Sequence, residues 1–362
     1  MVTHQEQPAT PRLTVVGSGR STDRAGGLWA AVLDGSAAIA AGGAVAGGFG
    51  VEALKSVMTG DQAGRWWFFL GCACGLALIV LGFWLRGQAR RQSRIGIVVT
   101  AVDARRGLAR ARQLNQQAET FSQNTCAVTL KTEVELSGDG ARDRVLVDRL
   151  ADETLAATMM AERLTPDACR INLIPTMPLN VAFWFGAKLG YTHAREVSVH
   201  AIRQADGSPP YFPATVLRTL ESGTEPLVAD RLEAVDGGDP SKVALALDLQ
   251  GFGDQFLDQV VAACRQHNIG FLLRLRSPSA RLAENIETFT GVVEQTCRLW
   301  REAPLPARAR TGDHAIFLSG PVAISVALGA RLAAPEKDKW TAFTFDNATS
   351  RYEPFPVRST ST

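Results

Sequence analysis

The chain has 362 residues, of which 46% are hydrophobic and 20% charged, and its formal net charge at pH 7 is +2. This length allows more than one domain. The balanced charge excludes a protein that coats a DNA or RNA duplex. The six cysteines contain no CxxC pair, so they indicate a reducing compartment and predict no metal site.

The N-terminal part of the chain contains two long apolar stretches. Residues 1–27 carry arginines without a compact apolar core, and we predict a disordered cytoplasmic tail there. The stretch at 66–85 has no charged residue and as a helix would cover about 30 Å, the thickness of a bilayer's hydrocarbon core. The stretch at 28–50 is weaker, because it is mostly Ala and Gly and contains Asp34. An interfacial position and an ion-path role are both open for Asp34.

These stretches predict a transmembrane hairpin over residues 28–87, with a buried core helix as the alternative for the second one. Arginines directly after the second stretch place both termini in the cytoplasm. Gly43 and Gly47 are four residues apart and would let helices approach closely in a membrane. The sequence leaves open whether they pack within one hairpin or between protomers.

From residue 94 onward, strand and helix patterns alternate twice, which is typical of parallel sheets with right-handed crossovers. We predict two tandem Rossmann-like lobes, at 95–235 and 236–356, followed by a tail at 357–362. In chain order, the first lobe is predicted to contain strand 95–102, helix 105–121, strand 126–136, helix 144–163, strand 171–174, helix 178–189 and strand 197–202. The second lobe is predicted to contain strand 243–249, helix 254–266, strand 269–275, helix 280–300, an exposed loop at 304–313, strand 314–318, helix 321–332 and strand 340–345.

One phrase occurs once in each lobe. TMPLNVAFWFGAKL recurs 143 residues later as SGPVAISVALGARL, so that Pro178 aligns with Pro321 and Gly186 with Gly329. Proline fits the first turn of a helix, where its missing N–H costs nothing, and the N-terminus of a helix attracts anions. Open α/β sheets bind ligands along this edge. We therefore infer a duplication and predict that two equivalent edges face one groove, which would suit a roughly symmetric ligand with several phosphates.

The paired segments, together with the strands that follow them, resemble the SAVED domain, the cyclic-oligonucleotide sensor of bacterial anti-phage signalling (CBASS), which is itself similar to two fused CARF domains. The resemblance covers about residues 95–356. With the two apolar stretches ahead of it, the whole chain resembles the TM-SAVED effectors of the bacterial inner membrane. This resemblance implies that a nucleotidyltransferase of the CD-NTase type makes a cyclic tri- or tetranucleotide upon infection. The SAVED domain would bind this ligand and self-associate, and the membrane segments would then disrupt the lipid bilayer. No cofactor is implied.

Candidate ligand contacts come from the motif and from its position at the edge of the sheet. The motif positions are Met177, Pro178, Leu179, Asn180, Ser319, Gly320, Pro321 and Val322. The loops after the first strand of each lobe open onto the same edge and add Asp103, Arg105, Gln250 and Phe252. Phe252 is placed to stack on a base, and the strand-ending Arg274 and Arg276 to meet phosphate. For each of these residues, the alternative is an ordinary solvated loop residue or a strand-to-helix turn.

The sequence favours a binding protein over an enzyme. It contains no G-x-S-x-G, Walker loop, H-E-x-x-H or G-x-G-x-x-G motif, and its five histidines are dispersed. A membrane-tethered nucleotide hydrolase, or a ring nuclease that cuts its own activator, is the enzymatic alternative. A constitutive membrane scaffold is the third possibility.

Overall fold

The computed structural model describes residues 14–18, 36–59, 65–92, 94–103, 108–164, 170–191, 195–204, 209–218, 223–230, 232–346 and 349–356. The chain divides into two compact units, residues 18–94 and the remainder. The predictions made for Asp34, Arg105 and the tail at 357–362 lie outside the described residues, as does most of the tail at 1–27 that was predicted to be disordered. Residues 14–18 of that tail instead form a strand of the first sheet.

The described residues form nine α-helices and thirteen strands. The helices are α1 (Ser36–Thr59), α2 (Arg65–Gln92), α3 (Leu108–Thr125), α4 (Gly140–Leu164), α5 (Leu179–Leu189), α6 (Asp254–Gln266), α7 (Ile286–Glu302), α8 (Ala307–Thr311) and α9 (Val322–Leu328). α9 is continued by a π-helical segment (Gly329–Ala333) and a 3₁₀-helical segment (Ala334–Lys339). The strands are β1 (Thr14–Ser18), β2 (Arg94–Asp103), β3 (Val128–Leu136), β4 (Arg170–Thr176), β5 (Glu196–Ile202), β6 (Tyr211–Val216), β7 (Val228–Ala229), β8 (Glu233–Ala234), β9 (Asp239–Asp248), β10 (Ile269–Arg276), β11 (His314–Ser319), β12 (Trp340–Asp346) and β13 (Arg351–Phe355).

The smaller unit is a hairpin of α1 and α2, which pack closely through small residues. A Cβ atom added at Gly42 would lie 2.6 Å from the carbonyl oxygen of Gly75, so a larger residue at position 42 would force the helices apart. Gly43 and Gly47 face open space instead, since a Cβ added at either would have no neighbour within 4 Å. Gly42 therefore provides the close packing within the hairpin, and packing of Gly43 and Gly47 between protomers, the other arrangement that the sequence allows, stays a prediction.

The prediction of two membrane-spanning helices, and with it an inner-membrane location, is wrong. Across the described ranges, no helix is both long enough and apolar enough to cross a membrane. α1 is rich in Ala and Gly and continues through Glu52 and Lys55, and α2 begins at Arg65 and continues through Arg86, Arg90 and Arg91.

The larger unit contains two sheets built in the same order. The first sheet runs β1-β3-β2-β4-β5-β6, and the second runs β7-β10-β9-β11-β12-β13, with β8 also paired to β10. β2, β3, β4 and β5 correspond to β9, β10, β11 and β12, while β6 and β13 are antiparallel edge strands. This arrangement confirms two α/β lobes with sheets that are mainly parallel. Because β7 and β8 belong to the second sheet, the second lobe begins before the predicted position 236.

The two lobes meet where α5 crosses α9. A Cβ atom at Gly186 would lie 2.8 Å from the carbonyl carbon of Val326, and one at Gly329 would lie 2.8 Å from that of Phe183. Gly329 lies 143 residues after Gly186, and Val326 lies 143 residues after Phe183. The same contact is thus made twice, as at an interface around a two-fold axis. The lobes also share one hydrophobic core, which includes buried residues of both helices.

Candidate functional site

Both sheets reverse their strand order between two central strands. β3 lies on one side of β2 and β4 on the other, and β10 and β11 flank β9 in the same way. Open α/β sheets bind ligands outside the carboxyl ends of the strands at such a reversal. Residues at the carboxyl ends of β2, β4, β9 and β11 line a single cavity of about 680 Å³. The two lobes therefore contribute equivalent edges to one cavity.

The two repeated prolines lie on this cavity. Pro178 and Pro321 are both lining residues, and each has extended backbone immediately before its helix, with φ of −59° and −70° respectively. The structure thus brings the two copies of the motif together at one site, as the repeat predicts. Seven predicted contacts line the cavity in all: Asp103, Met177, Pro178, Gln250, Gly320, Pro321 and Val322.

Four of the remaining predicted contacts lie near the cavity without lining it. Asn180 is buried, and its side-chain oxygen accepts the N–H of Val181 at 2.9 Å. Ser319 donates its hydroxyl to the side-chain oxygen of Gln250 at 3.3 Å, so it positions a lining residue. Leu179 packs against the shared core. The side chain of Phe252 is 54% exposed.

Arg274 and Arg276 are placed away from the cavity. They end β10, which lies outside β9 rather than at the reversal of strand order. Both guanidinium groups approach the carboxylate of Asp230, at 3.4 and 3.8 Å. The geometry therefore does not bring these two arginines to the proposed ligand, and it provides each with an acidic partner instead.

The loop after β9 is held in shape by one buried carboxylate. The side chain of Asp248 is 1% exposed and accepts the backbone N–H groups of Gln250, Phe252 and Gly253 at 3.2, 3.2 and 2.8 Å. Gly253 has a φ of +61°, a conformation that glycine adopts without strain. This network fixes the position of Gln250 on the cavity wall.

Sequence reasoning missed the two arginines on the cavity wall. Arg110 comes from α3 in the first lobe, and Arg281 comes from the loop between β10 and α7 in the second. Neither forms an ion pair within the part of the chain that the structure describes. No motif singles them out, because each lies on an exposed segment whose position over the cavity is set by tertiary structure.

The deeper wall of the cavity is largely apolar. It includes Leu249, Leu282 and Phe289, together with Tyr211. Tyr211 donates its hydroxyl to the carbonyl oxygen of Leu114 at 3.2 Å, and burial raises the pKa of its phenol to about 12. Tyr211 is therefore neutral at physiological pH. An apolar wall with guanidinium groups suits a ligand that combines flat apolar rings with anionic groups.

No protein-family model and no curated protein matches the chain. Among solved structures, the chain is similar to the Acinetobacter baumannii Cap4 SAVED/CARF-domain containing receptor with the cyclic trinucleotide 2'3'3'-cAAA, at 10% identity and a TM-score of 0.45, over 80% of this chain and 58% of that one. The same receptor with 3'3'3'-cAAA gives 10% identity and a TM-score of 0.42, over 90% and 77% of the two chains. The Moraxella osloensis Cap4 receptor gives 9% identity and a TM-score of 0.37, over 89% and 76%. Likenesses at this level do not assign the chain to a family.

Proposed function

We propose that this chain is a receptor for a cyclic oligonucleotide that binds in the cavity between the two lobes. The observation that carries the proposal is that both reversals of strand order, related by a pseudo-two-fold axis, open onto one cavity. A ring of repeated nucleotides presents similar phosphates at regular positions. Such a ligand can make related contacts to both copies of the motif, which a small asymmetric metabolite cannot do.

The chemistry of the cavity supports this class of ligand. Arg110 and Arg281 supply one guanidinium from each lobe, and guanidinium groups bind phosphate oxygens through two parallel hydrogen bonds. The apolar wall provides surface for bases. The volume of about 680 Å³ falls within the usual range of about 300 to 1,000 Å³ for ligand pockets.

In this proposal the chain is a sensor rather than an enzyme, and it acts in bacterial anti-phage defence. A nucleotidyltransferase would supply the cyclic tri- or tetranucleotide, and binding would promote self-association of the receptor. The step that follows self-association is left open, because the membrane-spanning hairpin expected from the sequence is not found among the described helices.

The test is to incubate the full chain with a panel of cyclic di-, tri- and tetranucleotides. Binding is measured by calorimetry, recovery of intact ligand by chromatography, and assembly by light scattering. We expect one ligand to bind with micromolar or tighter affinity, to be recovered intact, and to increase the particle size. Turnover of the ligand would favour the nucleotide hydrolase or ring nuclease, and the absence of binding across the panel would refute the receptor.

A further inference from the structure

One acidic side chain connects the two lobes at the edge of the cavity. Glu284 lies in the loop between β10 and α7 of the second lobe, and it accepts the backbone N–H of Gln204 in the first lobe at 2.7 Å. Its other carboxylate oxygen accepts a hydrogen bond from Arg203 at 3.4 Å. Gln204 and Glu284 both line the cavity. The carboxylate therefore occupies two donors at the edge of the proposed ligand site, of which Gln204 lines the cavity.

These donors are held in place by the first lobe alone. Arg203 donates its Nε–H to the carbonyl oxygen of Pro209 at 3.1 Å, and its guanidinium carbon lies 5.0 Å from the centre of the Phe212 ring. Its backbone N–H donates to the carbonyl oxygen of Pro210 at 2.8 Å. The guanidinium and the adjacent Gln204 amide thus keep their orientation without Glu284.

We propose that Arg203 and the backbone N–H of Gln204 form an anion subsite for a ligand phosphate, which Glu284 occupies in the ligand-free chain. A guanidinium beside a backbone N–H is a donor set that binds phosphate oxygens as well as carboxylate oxygens. The subsite rests on the proposed function for the identity of its ligand. The cavity is lined by two carboxylates, Asp103 and Glu284, and by two arginines, Arg110 and Arg281. Displacement of Glu284 by phosphate would remove one of the two negative charges that oppose a polyanion.

Displacement of Glu284 detaches its loop from the first lobe at this point. The loop is anchored at one end by the N–H of Ser277, which donates to the carbonyl oxygen of Asp248 at 2.8 Å. At the other end, the side chain of Asn285 accepts the N–H of Thr288 at 2.8 Å and caps α7. The segment between these anchors also presents Arg281 to the cavity. A phosphate that replaces Glu284 therefore releases a contact between the lobes that is made by the same loop as Arg281.

The subsite is tested with inorganic pyrophosphate as the probe, by calorimetry on the full chain and its variants. We expect Glu284→Ala to lower the Kd for pyrophosphate by about tenfold or more, which corresponds to about 1.4 kcal/mol. The double variant Arg203→Ala/Glu284→Ala should lose this gain. Glu284→Gln, which removes the charge and keeps an acceptor for the Gln204 amide, should show part of it. Glu302→Ala, which removes a carboxylate at the far end of α7, is the matched control and should leave the Kd unchanged.

An unchanged Kd in both Glu284 variants, or a gain that persists without Arg203, would overturn the subsite. These outcomes are separate from those of the proposed function. If Glu284→Ala gains pyrophosphate affinity and no cyclic oligonucleotide binds to any variant, the subsite stands and the receptor proposal fails. If the unaltered chain binds a cyclic oligonucleotide and the pyrophosphate gain is absent, the receptor stands and the subsite fails.

Discussion

Replacing Gly186 by alanine should separate the two lobes at the crossing of α5 and α9. The new Cβ would lie 2.8 Å from the carbonyl carbon of Val326. Carbon atoms in good contact are about 3.5 Å apart, and the carbonyl oxygen of Val326 would lie closer still to the new Cβ, so the two helix backbones must move apart by about 1 Å. Both helices are buried in the shared core, and neither can tilt freely. Overpacking of this kind typically costs about 1 to 3 kcal/mol, and the backbone contact places this site at the upper end.

Alanine also has a better helix propensity than glycine by about 1 kcal/mol, which offsets part of the cost. We expect a net loss of about 1 to 2 kcal/mol, or a decrease in Tm of about 2 to 8 °C for a unit of this size. Gly329→Ala should have a similar effect, because it meets Phe183 in the equivalent contact. Gly47→Ala, at a helical position with no neighbour within 4 Å, is the matched control and should not lower the Tm. The Tm is measured by differential scanning calorimetry. An unchanged Tm in both Gly186→Ala and Gly329→Ala would refute the close crossing.

Two further predictions concern charge at the cavity and in the core. Arg110→Ala and Arg281→Ala should each raise the Kd for the cyclic oligonucleotide by about tenfold or more, because a hydrogen bond to a charged group contributes about 1.5 to 3 kcal/mol. Arg276→Ala is the matched control measured in the same titration, and an equal loss there would place the ligand elsewhere. Burial lowers the pKa of His314, so the folded state binds fewer protons than the unfolded state, and stability should fall as the pH drops below about 6.5. Denaturant titrations at pH 7 and pH 5 measure this loss of stability, and His314→Phe should reduce it. Part of the loss should remain, because the pKa of His267 is also lowered. An equal loss of stability in the variant and the unaltered chain would contradict the assignment to His314.

The central strands and their order along the chain could be predicted from the sequence because they carry an unambiguous signal. Every residue of β2 after Arg94 is buried, and a continuous apolar run is what a parallel strand covered on both faces requires. The repeat alone predicts that Pro178 and Pro321 face one groove, and both line the cavity. The sequence shows that glycine recurs at 186 and 329 but not why. The structure gives the reason, because the two helix backbones cross too closely there for a Cβ atom.

Other elements gave no usable signal. β7 and β8 have two residues each, too few for an alternating pattern. The sequence predicts a helix over 280–300, whereas α7 begins at Ile286, after a side-chain cap by Asn285. The loop formed there carries Arg281 and Glu284, so the error in the helix start concealed two residues of the site. The pairing of Arg274 and Arg276 with Asp230 is likewise a tertiary contact that periodicity does not reveal.

The two copies are alike where the lobes contact each other and different where they line the cavity. Where the lobes touch, the two copies have kept the same glycine contact, because any side chain there would force the helices apart. Where they face the cavity, the copies have diverged. Asp103 and Asp248 end equivalent strands, yet Asp103 lines the cavity while Asp248 turns away to hold the loop that follows it. A near-symmetric frame with an asymmetric lining would bind a ring of nucleotides in one preferred orientation, so recognition of individual bases rests on the residues that differ between the lobes.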